Sequence, residues 1–192
     1  MNKQTISTIP LLGFLRDIIE TVIIAGIIFF ILNLFIIQPH RIKGASMETN
    51  FHDGELILTQ KISYLFGKPE FGDVVVFKAP KAPKFDFIKR IVGLPGQKVM
   101  ISNGVIYVDG KEKDLSKYST KPAQTIQNGF VQDGREFVVP ADEYFVLGDN
   151  RDHSSDSRDW GFVKDDEISG KAWIVYWPLF KNEPFGGIRV VK

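Results

Sequence analysis

The apolar residues of this chain form one long run near the N-terminus and many short runs after it. Residues 18–37 read IIETVIIAGIIFFILNLFII, with Glu20 near the start and Asn33 as the only polar residue deep inside. About 20 apolar residues match a hydrocarbon core of roughly 30 Å at a rise of about 1.5 Å per residue. The pattern predicts a transmembrane anchor at 18–37, preceded by a short N-terminal tail at 1–17.

A cleavable signal peptide is the alternative explanation of this run. Its apolar region is only about 7–15 residues long and ends in a small-x-small cleavage site. Here the run is longer and continues into QPHRIK at 38–43, so a retained anchor is favoured. Lys3 and Arg16 precede the run while Arg41 and Lys43 follow it, and this near tie in positive charge leaves the orientation open.

The short runs after residue 38 predict a mainly β, antiparallel domain over 38–192. They are rich in β-branched and aromatic residues and are bounded by Gly, Pro or Asp. The clearest hairpin joins 98–102 to 105–108 through Asn103-Gly104, because Asn-Gly tolerates the positive φ angles of a type I′ turn. The other predicted strands are 55–59, 73–77, 85–92, 136–139, 144–147 and 172–177. No window outside the anchor shows a helical stripe.

One internal segment departs from this pattern. Residues 111–128 are polar and rich in Lys, Ser and Thr. We expect this segment to be a variable excursion from the core rather than part of it.

Composition narrows the possible chemistry. The chain of 192 residues has 24 Lys and Arg against 23 Asp and Glu, which gives no general reason to expect a nucleic-acid partner. It has no cysteine, which excludes disulfides, thiolate metal sites and cysteine nucleophiles.

Ser46 is the first candidate for chemistry. It follows Gly44 and Ala45, close to the end of the predicted anchor, and these small residues allow a substrate to approach closely. A serine in a loop is usually just solvated, and serine is a poor nucleophile without an adjacent base. The base must therefore be found elsewhere in the chain.

The histidines offer one candidate base. Of His40, His52 and His153, the last lies among acidic residues, which leaves a Ser-His-Asp triad open. An exposed loop histidine is the plainer interpretation of His153.

Lys89 is another candidate for the general base. In FDFIKRIV, the alternation of a strand puts Phe85, Phe87, Lys89 and Ile91 on one face. An amine in apolar surroundings has a pKa below its usual value of about 10.4, and it can then be neutral near physiological pH. The alternative is a lysine that extends to the edge of the sheet and remains hydrated.

The string GDNRDHSSDSR at 148–158 is the most unusual polar stretch. It fits a solvated loop, a calcium-binding loop, or a polar segment that orients an active-site lysine. Calcium is disfavoured because Arg151 and Arg158 interrupt the acids and the bidentate terminal Glu is absent.

Taken together, these segments resemble the bacterial type I signal peptidases, which are membrane-bound Ser-Lys proteases that remove signal peptides from exported proteins. The resemblance covers nearly the whole chain. Its motifs are the N-terminal anchor, GASM, DGELILTQK, FGDVVVFK, FIKRIVGLPGQKV and YFVLGDNRDHSSDSRDWGFV, in this order.

The resemblance implies a role for several residues. Ser46 corresponds to the nucleophile and Lys89 to the general base. Ser154 corresponds to the serine whose hydroxyl helps to position that lysine. Asp156 and Arg158 correspond to paired charges that hold the same loop.

Further implied roles concern the surroundings of the dyad. Asp149 and Arg151 belong to the same motif, with a structural role. The backbone N–H of Ser46 is the expected oxyanion donor, since Gly44 stands where some members have a serine that adds a hydroxyl to the oxyanion hole. The substrate pockets would be lined by Ile42, Met47, Ile57, Phe87 and Ile88.

One departure from the family concerns the nucleophile loop. The family usually reads Ser-Met-x-Pro-Thr-Leu, whereas here Thr49, Asn50 and Phe51 follow Glu48. The missing proline raises the question of what makes this loop rigid.

The resemblance also implies partners and location. The partners would be preproteins carrying signal peptides and the lipid bilayer, with no metal or organic cofactor. The tail at 1–17 would be cytoplasmic and the β domain would lie on the outer face of the membrane. The alternatives are an inactive membrane-tethered homologue acting as a binding or assembly factor, a serine hydrolase dependent on His153, and the self-cleaving Ser-Lys proteases of DNA-damage regulation, which lack such an anchor.

Overall fold

The computed structural model describes residues 9–31, 37–48, 50–80, 82–126, 129–179, 181–182 and 185–191. The chain divides into two compact units, Met1–Ile37 and Gln38–Lys192.

Helix α1 of the first unit covers Ile9–Ile31. Pro10 lies in its first turn, where the missing N–H would have no partner within the helix in any case. The helix begins inside the stretch that we predicted as a tail, and residues 32–36 of the predicted anchor lie outside the described residues. Among the residues that the structure describes, no helix is both long enough and apolar enough to cross a membrane.

The second unit is built mainly from short strands. Two short helices interrupt them, α2 (Ile62–Phe66) and α3 (Ser157–Trp160). The strands are β1 (Ile37–Arg41), β2 (Leu56–Gln60), β3 (Val74–Ala79), β4 (Ala82–Gly93), β5 (Lys98–Ser102), β6 (Val105–Val108), β7 (Lys111–Glu112), β8 (Phe137–Val138), β9 (Glu143–Leu147), β10 (Val163–Lys164), β11 (Ile168–Trp177), β12 (Lys181–Asn182), β13 (Phe185–Gly186) and β14 (Arg189–Val190).

These strands form antiparallel sheets. The main sheet has the order β1-β2-β11-β3-β4-β9-β10, and β14 pairs with β11 beside this path. A second sheet has the order β7-β6-β5-β8, and β12 pairs with β13. Every pairing whose register is described is antiparallel. The mainly β, antiparallel fold class predicted from the sequence is confirmed.

Among the described ladders, strand β4 pairs on both sides over its C-terminal half and only with β3 over its N-terminal half. Its ladder with β3 runs from Arg90 back to Ala82, whereas its described ladder with β9 begins only at Arg90. On the β9 side, the N-terminal half of β4 therefore keeps backbone groups that this ladder does not use. This half carries Phe87, Ile88 and Lys89.

The predicted strands are all present, and the predicted hairpin has the expected turn. Asn103 and Gly104 join β5 to β6 with φ angles of 50° and 79°, as a type I′ turn requires. Strand β1 was not predicted because IQPHR carries Pro39, which disfavours an interior strand; it forms the edge of the main sheet instead. The two-residue strands are too short to show alternation.

The expectation that residues 111–128 lie outside the core is wrong at two positions. Leu115 and Ala123 are buried in a hydrophobic cluster with Val99, Ile101 and Val108. A polar segment can therefore contribute isolated apolar side chains to a core without any periodic pattern.

Candidate active site

Ser46 lies in a tight turn that follows β1. The turn is closed by the backbone N–H groups of Asn50 and Phe51, which donate to the carbonyl of Met47 at 3.1 and 2.9 Å. Gly44 has a φ of 85°, which a residue with a side chain adopts only with strain, and its N–H donates to Asp53 Oδ1 at 2.7 Å. Ser46 itself is half-buried and lines a cleft.

Lys89 reaches Ser46 from strand β4. Its Nζ donates to Ser46 Oγ at 2.7 Å and to the carbonyl of Ile88 at 2.9 Å. The residue is only 4% exposed, and the Phe87 ring centroid lies 5.2 Å from Nζ. Sequence alternation therefore placed Phe87 and Lys89 together correctly, but Phe85 is 64% exposed and gives this site little apolar cover.

The surroundings of Lys89 make its neutral form easier to reach than in water. Burial lowers the pKa of Lys89 from its usual 10.5 to about 8, while the charges of Asp156 and Asp149 act in the opposite direction. A deprotonated Nζ carries a lone pair that can accept the hydroxyl proton of Ser46. This pair of residues can therefore act as a nucleophile and its general base.

A buried ion pair organises the loop at 148–158. The Asp156 carboxylate accepts from Arg158 Nε at 2.8 Å and from Arg158 Nη2 at 2.9 Å, and both side chains are almost fully buried. Asp156 also accepts from the backbone N–H of Gly148 at 3.0 Å and caps helix α3. Arg158 donates to the carbonyls of Arg151 and Gln124 at 2.7 and 2.8 Å. The predicted pairing of these two charges is present.

A second ion pair joins this loop to strand β4. Arg90 donates to Asp149 through Nε at 2.9 Å and through Nη2 at 2.7 Å, and both side chains are buried. Arg151 is buried nearby, and its Nε has no hydrogen-bond partner among the described residues. Burial and the charge of Arg158 lower the pKa of Arg151 to about 10.

Ser154 lies beside the catalytic candidates without bonding to them. Ser154 Oγ and the carbonyl oxygen of Ser46 both pack against Gly148. A Cβ added to Gly148 would overlap Ser154 Oγ and would come within 2.5 Å of that carbonyl oxygen, so only glycine fits here. Ser154 Oγ is buried and has no hydrogen-bond partner in the part of the chain that the structure describes. The hydrogen bond to Lys89 that the resemblance implies is not formed in this structure.

His153, the rival base, is exposed. No hydrogen bond connects its ring to Ser46 within the described ranges, although it lines the same cleft. In the same described part of the chain, no three acidic or histidine side chains are grouped in a way that could hold a metal ion.

A cleft of about 520 Å³ opens in front of Ser46 and Lys89. One wall is formed by residues 39–46, and the other by residues 84–89 of β4. His40 joins the two walls, since its Nδ1 lies 3.4 Å from Asp86 Oδ2 and its Nε2 lies 3.1 Å from Thr59 Oγ1.

Four of the five predicted pocket residues line this cleft: Ile42, Ile57, Phe87 and Ile88. Met47 does not. It is 1% exposed in a core cluster, and its sulfur accepts from the backbone N–H of Asp149 at 3.4 Å. Its prediction as a pocket residue is wrong, because the turn that exposes Ser46 directs the next side chain inward.

Sequence reasoning missed two further residues at this site. Arg90 could have been found from the sequence, since a charged residue inside an apolar strand is expected to have a buried partner of opposite charge. Asn150 gave no signal beyond its place in the polar motif. Its backbone N–H donates to the carbonyl of Ser46 at 3.0 Å, and its side-chain amide donates to that of Ala45 at 3.0 Å.

Comparison with known proteins gives consistent matches over most of the chain. A family model described as signal peptidase, peptidase S26, matches residues 15–177, which include Ser46, Lys89 and the loop at 148–158. The chain is 38% identical over 177 residues to signal peptidase IB of Staphylococcus aureus (strain COL), covering 85% of this chain and 92% of the relative.

Two further matches are also to proteins described as signal peptidases I. The chain is 39% identical over 165 residues to the probable signal peptidase I-2 of Synechocystis sp. (strain ATCC 27184 / PCC 6803 / Kazusa), covering 83% of this chain and 72% of the relative. Among solved structures, a signal peptidase I from Enterococcus faecalis V583 is 28% identical with a TM-score of 0.42, covering 54% of this chain and 96% of that chain.

Proposed function

Because the chain belongs to the signal peptidase family, peptidase S26, it is a serine endopeptidase that cleaves signal peptides, and we propose that Ser46 and Lys89 form its catalytic dyad. The observation that carries this assignment is the 2.7 Å hydrogen bond between Lys89 Nζ and Ser46 Oγ. The lowered pKa of Lys89 supports it further, since a general base must be unprotonated to act.

The reaction proceeds through an acyl-enzyme. Neutral Lys89 takes the hydroxyl proton as Ser46 Oγ attacks the scissile carbonyl carbon. The oxyanion is stabilised by the backbone N–H of Ser46. The C–N bond then breaks as the Lys89 ammonium protonates the leaving amine, which leaves the signal peptide esterified to Ser46. Water attacks this ester with Lys89 as base, and the proton returns to Ser46 Oγ.

The signal peptide binds in an extended conformation along the cleft. The open edge of β4 ahead of Arg90 offers backbone hydrogen bonds to an added strand. Alternate side chains of the peptide enter the shallow apolar surface of Ile42, Ile57, Phe87 and Ile88. Such a surface favours the small residues that family substrates carry one and three positions before the scissile bond.

The N-terminal apolar segment at 18–37 anchors the enzyme in the cell membrane, with the β domain on the outer face. Confinement of enzyme and membrane-inserted preprotein to one surface raises their effective concentration without any new contact. The composition of this segment and the resemblance support the anchor.

Preprotein cleavage by the detergent-purified protein tests the dyad. Ser46→Ala and Lys89→Met are expected to abolish cleavage, while His153→Ala is expected to keep it. Activity that survives the first two substitutions but is lost with His153→Ala would favour the histidine-dependent hydrolase. A wild-type protein inactive on several preproteins would favour a tethered binding factor.

A further inference from the structure

Asn50 links the nucleophile turn to the rest of the site. It follows Ser46 by four positions, and both hydrogens of its side-chain amide are engaged. Nδ2 donates to Asp149 Oδ2 at 2.7 Å and to the carbonyl of Tyr118 at 2.9 Å. Met47 and Phe51 of this turn are buried in the core, and the amide bonds of Asn50 add a polar connection between the turn and the loop at 148–158.

The partners of Asn50 are themselves held firmly. Asp149 is buried in its bidentate pair with Arg90. The guanidinium carbon of Arg90 lies 3.7 Å from the centroid of the Tyr118 ring, which is a close cation–π contact. The Asn50 amide therefore bonds to two groups that are already fixed against each other.

These contacts form a closed series of connections between Asn50, Asp149, Arg90, Lys89 and Ser46. Arg90 follows Lys89 directly on β4, and Asn50 connects Arg90, through Asp149, to the turn that carries Ser46. The hydrogen bond between Lys89 and Ser46 is the last connection of this series. The side chain at position 50 thus helps to set the separation of nucleophile and base, together with the bonds of Asn150 to the carbonyls of Ser46 and Ala45.

The backbone of Asn50 is held as well. Its N–H donates to the carbonyl of Met47 at 3.1 Å, and its own carbonyl accepts from Arg189 Nη2 at 2.8 Å. Arg189 belongs to β14, at the end of the domain, where its guanidinium also pairs with the buried Glu55. The turn is therefore tied on both sides of the Asn50 side chain.

We infer that Asn50 is a positioning residue, which keeps Ser46 Oγ within reach of Lys89 through its amide bonds to Asp149 and Tyr118. The inference rests on the proposed Ser46–Lys89 dyad. It also answers the question raised by Thr49 and Asn50 in place of a Pro-Thr pair: hydrogen bonds supply the rigidity that a proline ring would give.

Steady-state kinetics of preprotein cleavage by Asn50→Ala tests this role. Because Asn50 holds the nucleophile and does not line the cleft, kcat is expected to fall roughly 10- to 100-fold, as a misplacement of reacting groups by about 1 Å does. KM is expected to stay within about twofold of wild type. The pH at half-maximal kcat/KM is expected to stay unchanged, because Lys89 remains buried. A partly unfolded preparation would also lower the apparent kcat at constant KM, so kcat is calculated per folded enzyme, with the folded fraction measured by near-UV circular dichroism under the assay conditions.

Three further variants complete the experiment. Asn50→Thr keeps one donor and is expected to restore part of kcat. Asn50→Leu keeps the approximate size of the side chain without either donor, and it decides the question if Asn50→Ala does not fold, since a wild-type kcat for Asn50→Leu would overturn the role. Asn103→Asp removes an amide from an exposed turn where φ is 50°, which Asp tolerates, and is expected to leave both constants unchanged.

Ser46→Ala, measured beside these variants, distinguishes a failure of the Asn50 role from a failure of the Ser46–Lys89 dyad. If Ser46→Ala is inactive while Asn50→Ala has wild-type kcat or only a raised KM, the role of Asn50 is wrong and the dyad stands. If Ser46→Ala remains active, the dyad itself is wrong.

Discussion

Lys89 Nζ lies 2.7 Å from Ser46 Oγ, although the two residues are 43 positions apart in the chain. The strand supplies the base and the turn supplies the hydroxyl. The hydrogen bonds described for Lys89 go to two uncharged oxygens, those of Ser46 and of the Ile88 carbonyl. Burial of the amine is therefore offset only by more distant carboxylates, which explains why its pKa lies below the usual value.

A first prediction is that Lys89→Met stabilises the protein while abolishing its activity. The folded pKa of about 8 lies below the usual 10.5, so folding at neutral pH must bury a charge, at a cost of about 3 kcal/mol. This cost is fully present below about pH 8 and disappears as the pH rises toward 10.5. Thermal melts at pH 7 should show a gain in stability equivalent to roughly 1–3 kcal/mol, less than the full cost because the hydrogen bonds of Lys89 are lost. This gain should shrink at pH 10, where Lys89 is largely neutral in the folded protein.

Lys111→Met is the matched control, since Lys111 is exposed. It should leave the melting temperature unchanged at both pH values. A Lys89→Met variant that melts below wild type at pH 7 would contradict a costly buried amine.

A second prediction concerns Asp156. Asp156→Asn leaves the buried Arg158 guanidinium without its charge partner, and we expect a loss of about 3–5 kcal/mol in unfolding free energy. The charge of Asp156 raises the pKa of Lys89, so its removal should also shift the pH profile of kcat/KM to lower pH. Chemical denaturation and the pH profile measure the two effects separately.

Asp152→Asn serves as control, because Asp152 lies in the same loop but its pair with Lys121 is exposed. It should change neither the denaturation midpoint nor the pH profile. Equal destabilisation by both substitutions would mean that the Asp156–Arg158 pair does not hold the loop.

A third prediction concerns the end of the chain. Glu55 is fully buried; burial alone would raise the pKa of its carboxyl, but the hydrogen bonds and charge of Arg189 and the N–H of His52 lower it. In Arg189→Ala the burial effect remains, so the pKa of Glu55 should rise above its unfolded value. The variant should lose roughly 2–3 kcal/mol at pH 7 and recover part of this loss at acid pH, where Glu55 is protonated in both states.

Arg135→Ala provides the comparison, since the described hydrogen bond of Arg135 is an exposed one to Gln132. A constant difference between Arg189→Ala and wild type across pH 4–7 would show that Glu55 does not need Arg189.

A fourth prediction addresses specificity. Ile88 lines the cleft and is 8% exposed, so Ile88→Ala enlarges the surface that receives small side chains. The kcat/KM of a preprotein with Val before the scissile bond, relative to one with Ala, should rise roughly 10-fold. Ile101→Ala creates a similar cavity in another cluster and should lower stability without changing this ratio.

The local features of the site were predictable from sequence because they follow short periodicities. Alternation along β4 identified Lys89 and Phe87 as neighbours, and Asn103-Gly104 predicted a hairpin whose turn has positive φ at both positions. Motif resemblance predicted the pairing of Asp156 with Arg158 and gave Ser46 as the candidate nucleophile, whose role stays a prediction.

Long-range contacts were not predictable in the same way. The amide of Asn50 meets Asp149 at a sequence separation of 99, and Arg189 meets Glu55 at a separation of 134. No periodicity of a single chain encodes such pairs. Phe85 illustrates the opposite error, since alternation gives its face but not that the sheet leaves this part of the face uncovered.

The pH dependence of kcat/KM for preprotein cleavage tests the central claim most directly, because it reports the ionisation of the free enzyme's essential base. If neutral Lys89 is that base, activity should rise with pH through a midpoint of about 8 and should be unaffected in midpoint by His153→Ala. A midpoint near about 6.5 that disappears in His153→Ala would assign the base to the histidine and contradict the Ser46–Lys89 dyad.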